Sequence, residues 1–228
     1  MEFIRTVLDL LFGTNTELRQ IIGVTLRMSL LSTGISALVG IPIGVWVGGN
    51  EFRSKGWVTR LMNTLMGIPP VVGGLVVYLI LSRSGPLGTL KLLYTISAMV
   101  IAQVFLITPI IASMTANVVS IKAEAIRETC HGLGISNADR MRLMLAEFRV
   151  AFVSIILAGF GRAIAEVGAI QMVGGNIQFK TRVMTTAIMM QSNMGHFELA
   201  VALGAVLLII SFVINSVVYG LQKGWQRA

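Results

Sequence analysis

An all-α integral membrane protein is the fold class this sequence predicts, and two observations predict it. Charged residues make up 12% of the 228 positions, about half of the roughly 25% usual in soluble domains. Residues 28–50, 61–82, 92–121 and 199–222 carry no charge, and each stretch exceeds the ~18 residues that make a spanning-helix candidate. A soluble core helix can carry one such run, but four in so short a chain point to repeated crossings. In lipid the backbone must satisfy its own polar groups, which selects helices.

The elements follow in order. Residues 1–20 place Phe3, Ile4, Val7, Leu8 and Leu11 at helical spacing, as in a helix lying along the membrane surface. No basic stretch or small-residue cleavage site opens the sequence, so a cleaved signal is not expected. Span one covers about residues 21–47. Its Gly40, Gly44 and Gly48 fall on one face and would let a second helix approach closely, within the chain or across a dimer; Pro42 would kink or loosen it. Span two covers about 61–81 and should be bent or partly unwound by Gly67-Ile-Pro-Pro70 and Gly73-Gly74. Span three covers about 92–118. A fourth runs from 147 to about 175, interrupted by Arg162 and Glu166, and a fifth covers 199–222. Residues 176–197 read as a short helix or re-entrant piece. The expected count is five spans, with six as the alternative.

The formal net charge is +8. Nucleic acid is not the expected partner, because basic residues in short loops also set membrane topology. Arg53, Lys55 and Arg60, then Lys122, Arg127, Arg140, Arg142 and Arg149, then Lys223 and Arg227 share one side if there are five spans. They outnumber Arg5, Arg19, Arg83, Lys91, Lys180 and Arg182 on the other. That bias puts the C-terminus in the cytoplasm. Arg27 falls inside span one, near its outer end, where it would snorkel outward or assist an anion.

Between spans three and four lies a polar island, Glu128-Thr-Cys-His-Gly-Leu-Gly134 followed by Ile-Ser-Asn-Ala-Asp-Arg140. Residues 122–131 can form a helix, Gly132-Leu-Gly134 breaks it, and Ser136 to Asp139 has capping-box spacing for a second helix. The pattern predicts a helix–turn–helix projecting from the membrane; an ordinary amphipathic loop is the plainer alternative.

The island resembles the E-A-A-x-x-x-G-x9-I-x-L-P loop of ABC-importer permeases of the type I fold. Glu128 matches the Glu, Thr129 and Cys130 stand at the Ala positions, Gly134 matches the Gly, and Met144 stands for Ile. Ala146 and Glu147 replace the Leu-Pro ending. Phe160-Gly-Arg-Ala-Ile-Ala-Glu-Val-Gly-Ala169 resembles the A-R-A-L-G-E-F-G-A segment of molybdate, sulfate and tungstate permeases, and Gly174-Gly-Asn-Ile177 with Thr181-Arg182 continues it. Gly67-Ile-Pro-Pro-Val-Val-Gly-Gly-Leu75, Tyr78 and 82–88 look like the tungstate branch.

The resemblance implies a permease domain over 21–222, a coupling loop at about 122–147, and a cytoplasmic tail at 223–228. It implies a pair of such permeases, two cytoplasmic ABC ATPase subunits that bind the ATP and magnesium, and an extracytoplasmic oxyanion-binding protein. This chain would bind no cofactor. Glu128, Thr129, Cys130, Gly132, Gly134, Asp139 and Met144 become expected coupling residues; Glu128 and Asp139 could equally be solvated surface charges. Tungstate is the expected cargo, with molybdate or sulfate as the alternative and an ATP-independent anion channel or carrier as the rival class.

Arg162 and Glu166 are four apart, and ionised groups in a membrane face protein or an aqueous path. They are expected beside the path or its gate, or as a pair that fixes helix packing. A carboxylate would repel a dianion, so weak contacts are expected instead near Gly168, Gln171 and Gly174. Gly174-Gly-Asn-Ile-Gln-Phe-Lys180-Thr181 lacks the glycine that a phosphate loop needs before its lysine. No ATPase activity of the chain's own is expected. His131, His196 and the single Cys130 have no metal-site spacing.

Overall fold

The structure, a computed structural model, describes residues 16–227, with side chains to residue 220. The surface helix read over 1–20 therefore lies almost wholly outside the described residues. Among the described residues every regular element is helical. In chain order these are α1 (Thr16–Gly49), α2 (Lys55–Met66), α3 (Pro70–Leu81), a 3-10 turn (Gly88–Leu90), α4 (Ile96–Gly132), α5 (Asn137–Glu147), α6 (Arg149–Ile164), α7 (Gly168–Gly174), α8 (Met184–Asn193) and α9 (Phe197–Arg227).

Three helices are long and apolar enough to cross a membrane alone: α1, α4 and the 197–220 part of α9. Two bent pairs, α2–α3 at 96° and α5–α6 at 67°, bring the number to as many as five. At 10 residues, α8 spans only ~15 Å, half a bilayer core.

The α1–α4 pair is the spine of the bundle. Water gives helices in lipid no hydrophobic reason to associate, so close backbone approach and packing must do it. Here the glycine row does so within the chain. A Cβ on Gly44 would lie 2.5 Å from the Ala112 carbonyl oxygen and 2.5 Å from Thr115 Cβ. One on Gly48 would lie 2.5 Å from the Ala116 oxygen, and one on Gly40 3.0 Å from Ile111 Cγ2. The dimerisation alternative for this row is thus not needed to explain it. Gly73 and Gly74 do the same for α3: their Cβ atoms would meet Leu106 Cδ2 at 2.5 Å and Ala169 Cα at 2.6 Å. Large apolar side chains elsewhere point outward, including Leu38, Leu208 and Phe212, each more than two-thirds exposed, as a lipid-facing or subunit-facing surface requires.

Several expected boundaries move. Residues 16–20 are part of the same helix as span one rather than of a separate surface helix. Span two starts at Lys55 and turns sharply at 67–69, where Pro70 opens the next helix. Span three and the helix expected at 122–131 are one continuous helix of 37 residues. Pro109 lies inside it, where an interior proline removes one backbone donor. The fourth span is not continuous: it breaks at Phe148 and again at 165–167.

Candidate functional site

Two parts of the molecule carry the predicted residues, and α4 joins them. At its C-terminal end the chain reverses. Gly134 adopts φ +64°, a left-handed conformation that glycine takes without a Cβ penalty. Ile135 N–H then donates to the Cys130 carbonyl at 2.9 Å and Leu133 N–H to Thr129 at 3.1 Å, closing the helix end. Ser136 caps α5: its Oγ accepts from Asp139 N–H at 3.2 Å. The reciprocal half of a capping box does not form. Asp139 instead accepts from the Ser136 hydroxyl at 2.7 Å and pairs with Arg142 at 3.2 Å.

The knuckle is seated from below. Met144 is fully buried, and a Cβ on Gly49 would stand 2.7 Å from its sulfur. Arg140 donates to Asn50 Oδ1 at 2.7 Å, and Lys122 pairs with Glu147 at 3.1 Å. Beside it, Lys55 donates to Glu51 and holds that carboxylate below its ordinary range. Glu128, Thr129, Gly132 and Asp139 are exposed, whereas Cys130 is buried. Cys130 lines a groove of about 860 Å³ with Ile126, Leu133, Leu143 and Lys122. Met144 and Cys130 therefore shape the knuckle from inside, and Glu128 and Asp139 stand on its outer face.

The second part is the α6–α7 break. Arg162 Nη1 donates to Glu166 Oε2 at 2.7 Å, with the Arg side chain 34% and the Glu side chain 4% exposed. The pair forms as the spacing predicts, yet Glu166 lies past the end of α6 rather than on its face. Its other oxygen accepts from Ala169 N–H at 3.1 Å, so the carboxylate ends one helix and starts the next. Thr185 donates to the Glu166 carbonyl at 2.8 Å, which ties α8 to the break. Gly168 and Gly174 are close-packed: a Cβ would meet Val71 Cγ2 at 2.9 Å or Met99 Sδ at 2.8 Å. Gln171 Oε1 is buried without a hydrogen-bond partner.

Residues 40–227 match the family described as binding-protein-dependent transport system inner membrane component. The chain belongs to that family. It is 40% identical over 227 residues to the tungstate uptake system permease protein TupB of Peptoclostridium acidaminophilum, covering 98% of this chain and 100% of that protein. It is 41% identical to a probable anion ABC transporter permease protein of Haloferax volcanii over 88% and 89% of the two chains. A TupB of Campylobacter jejuni is 33% identical over 96% and 92%.

In this inner membrane component one side chain central to the second part went unread in the sequence. Gln103, fully buried on α4, donates through Nε2 to the Ala163 carbonyl at 2.8 Å and accepts from the Ser32 hydroxyl. It thereby joins α1, α4 and the end of α6. The signal was available: a glutamine in an uncharged run of this kind needs partners that lipid cannot supply.

The Gly134 geometry gives a direct test. Nothing lies within 4 Å of a Cβ there, so a substitution costs backbone conformation and not space. Gly134→Val is expected to destabilise the turn by about 1–2 kcal/mol, and Gly134→Asn by much less. Limited proteolysis read by mass spectrometry should find new cleavage at 132–136 in the valine variant alone.

Proposed function

We propose that this chain is the membrane-spanning permease subunit of an ATP-driven tungstate importer. Two copies form the oxyanion path, two cytoplasmic ABC ATPases grip the α4–α5 knuckles, and an extracytoplasmic binding protein delivers the dianion. The relative named as a tungstate permease, alike over its whole length, carries this reading. The folded-back end of α4, with its exposed Glu128 and Asp139, supports the part assigned to the knuckle.

Five spans follow if each bent pair crosses once. The excess of basic residues then favours a cytoplasmic knuckle and C-terminus in the cell membrane. ATP binding draws the ATPases together, and the folded-back end of α4 seated in each turns that movement into a tilt of α4 and the helices packed on it. The chain has no phosphate-binding loop, so hydrolysis belongs to the ATPase partner with its ATP and magnesium. At the α6–α7 break Arg162 and Glu166 neutralise each other, which keeps a bare carboxylate from repelling the cargo.

Uptake of labelled tungstate by proteoliposomes containing the assembled importer tests the reading, with molybdate and sulfate as competitors. Tungstate should accumulate only with binding protein, ATP and the ATPase all present. Accumulation without the ATPase would instead favour an anion channel or carrier. Gln171 is proposed to line the path, with its side-chain amide N–H groups donating to the oxyanion. Gln171→Ala should cut uptake about threefold or more, the scale of one lost hydrogen bond, while assembly measured by gel filtration is unchanged.

A further inference from the structure

The opposite end of α4 from the knuckle holds a basic pocket that none of the residues above uses. It has a volume of about 570 Å³ and lies between the first turns of α1 and the 94–96 and 179–181 loops. Arg19, Arg27 and Lys180 line it. All three are exposed, and among the described residues none has a carboxylate partner. The acid close by in sequence, Glu17, is engaged by Arg182 at 2.7 Å. Arg19, Gly23 and Arg27 recur at intervals of four on one face of α1. All three line the same pocket. A Cβ on Gly23 would meet nothing within 4 Å, so the helix surface between the two arginines is open.

The walls are built rather than loose. Gln20 donates to the Phe179 carbonyl, Thr181 donates to the Gly174 carbonyl at 2.6 Å, and Tyr94 N–H donates to Val173 at 2.8 Å. Tyr94 and Phe179 hold φ values of 62° and 59°, which aromatic residues rarely adopt, and such outliers concentrate at ligand sites. Tyr94 also borders a second pocket, of about 910 Å³, which adds Arg83 and Lys91 and again no carboxylate.

We infer that Arg19, Arg27 and Lys180 form a receiving site at the outer mouth of the path, which takes the tetrahedral oxyanion dianion as the binding protein releases it. The inference rests on the importer reading for its cargo and its sidedness. Cations with no carboxylate partner among the described residues, set at a low-dielectric entrance, concentrate an anion, and guanidinium forks match the oxygens of a tetrahedral ion. Because the cations are exposed, salt screens them, so the site holds its ion loosely and hands it on. A phospholipid headgroup offers the same chemistry from another source.

The test uses the assembled importer in phosphatidylcholine nanodiscs and equilibrium binding of labelled tungstate. Arg27→Gln, Lys180→Gln and Gly23→Leu should each weaken binding by about three- to tenfold, as truncating one contact of a charged interface does. Gly23→Leu covers that open helix surface with no loss of charge. Lys180 lies on an exposed loop, so its variant reads the site even if Arg27→Gln fails to assemble. Wild-type affinity in Lys180→Gln and Gly23→Leu would overturn the site, as would wild-type protein that binds no tungstate. Repeating the measurement with phosphatidylglycerol at fixed ionic strength separates the sources. Affinity kept within about twofold supports a free ion, and loss of binding assigns the pocket to lipid and overturns the proposal. The two readings fail differently. If wild-type proteoliposomes take up no tungstate, the importer assignment is wrong; if they do and the variants bind like wild type, only the pocket is wrong.

Discussion

Gly44→Val is expected to prevent the bundle from forming. The first carbon of any side chain at that position would lie 2.5 Å from both the Ala112 carbonyl oxygen and Thr115 Cβ. One of these is backbone and the other is the root of a branched residue, so neither can rotate away. The only relief is to move α1 and α4 apart, and that separation also loosens the contacts at Gly40 and Gly48, one turn to either side. Overpacking a well-filled interior costs about 1–3 kcal/mol and occasionally more; the upper end applies where the obstacle is backbone. Gly34→Val is the matched control, since a Cβ at Gly34 meets nothing within 4 Å. In detergent, thermal unfolding followed by gel filtration should recover little monodisperse Gly44→Val protein, while Gly34→Val behaves as wild type. Equal recovery of the two would mean that the α1–α4 seam is not as close as described.

Arg162→Ala is expected to do more damage than removal of the whole ion pair. Alone, it leaves the Glu166 carboxylate, with its side chain 4% exposed, facing only the Ala169 N–H. Stranding a buried charge costs about 3–5 kcal/mol. The guanidinium is a third exposed and water can reach part of the gap, so about 2–3 kcal/mol is the better expectation. In the Arg162→Ala/Glu166→Gln double variant the glutamine carbonyl can still accept from Ala169 N–H, and no charge is left unpaired. Stability, read as the melting temperature of purified protein, should therefore fall in the single variant and recover in the double. If transport recovers along with it, the pair fixes the shape of the break; if stability returns and tungstate uptake does not, Arg162 serves the path itself.

The sequence made the spans legible because lipid imposes a length and polarity rule that uncharged runs satisfy openly. It made the knuckle legible because glycine at a left-handed position and serine at a helix start are local devices. The extent of α4 was not legible. A change to polar residues after 121 resembles a helix end, but packing against α1 and the buried Met144 side chain carries the helix through. The break at 165–167 was equally hidden. Spacing of four puts Arg162 and Glu166 side by side on a continuous helix; the helix stops at Ile164, and the pair forms across the break instead. Gln103 escaped because a single amide in an oily run has partners, Ser32 and the Ala163 carbonyl, far away in sequence. Met144 was placed by a motif letter, and only the fold reveals that its sulfur lies beneath Gly49.

The unbroken length of α4 has a mechanical consequence. Its 37 residues measure about 55 Å, against a hydrocarbon core of about 30 Å, so one rigid strut protrudes well beyond the oil. A strut has no slack. Force applied to its wet tip travels the full thickness of the membrane as tilt, without first being absorbed by an intervening joint, and the flexure must fall instead on the crooked partners α2–α3 and α5–α6. The bends, not the beam, are where this molecule yields.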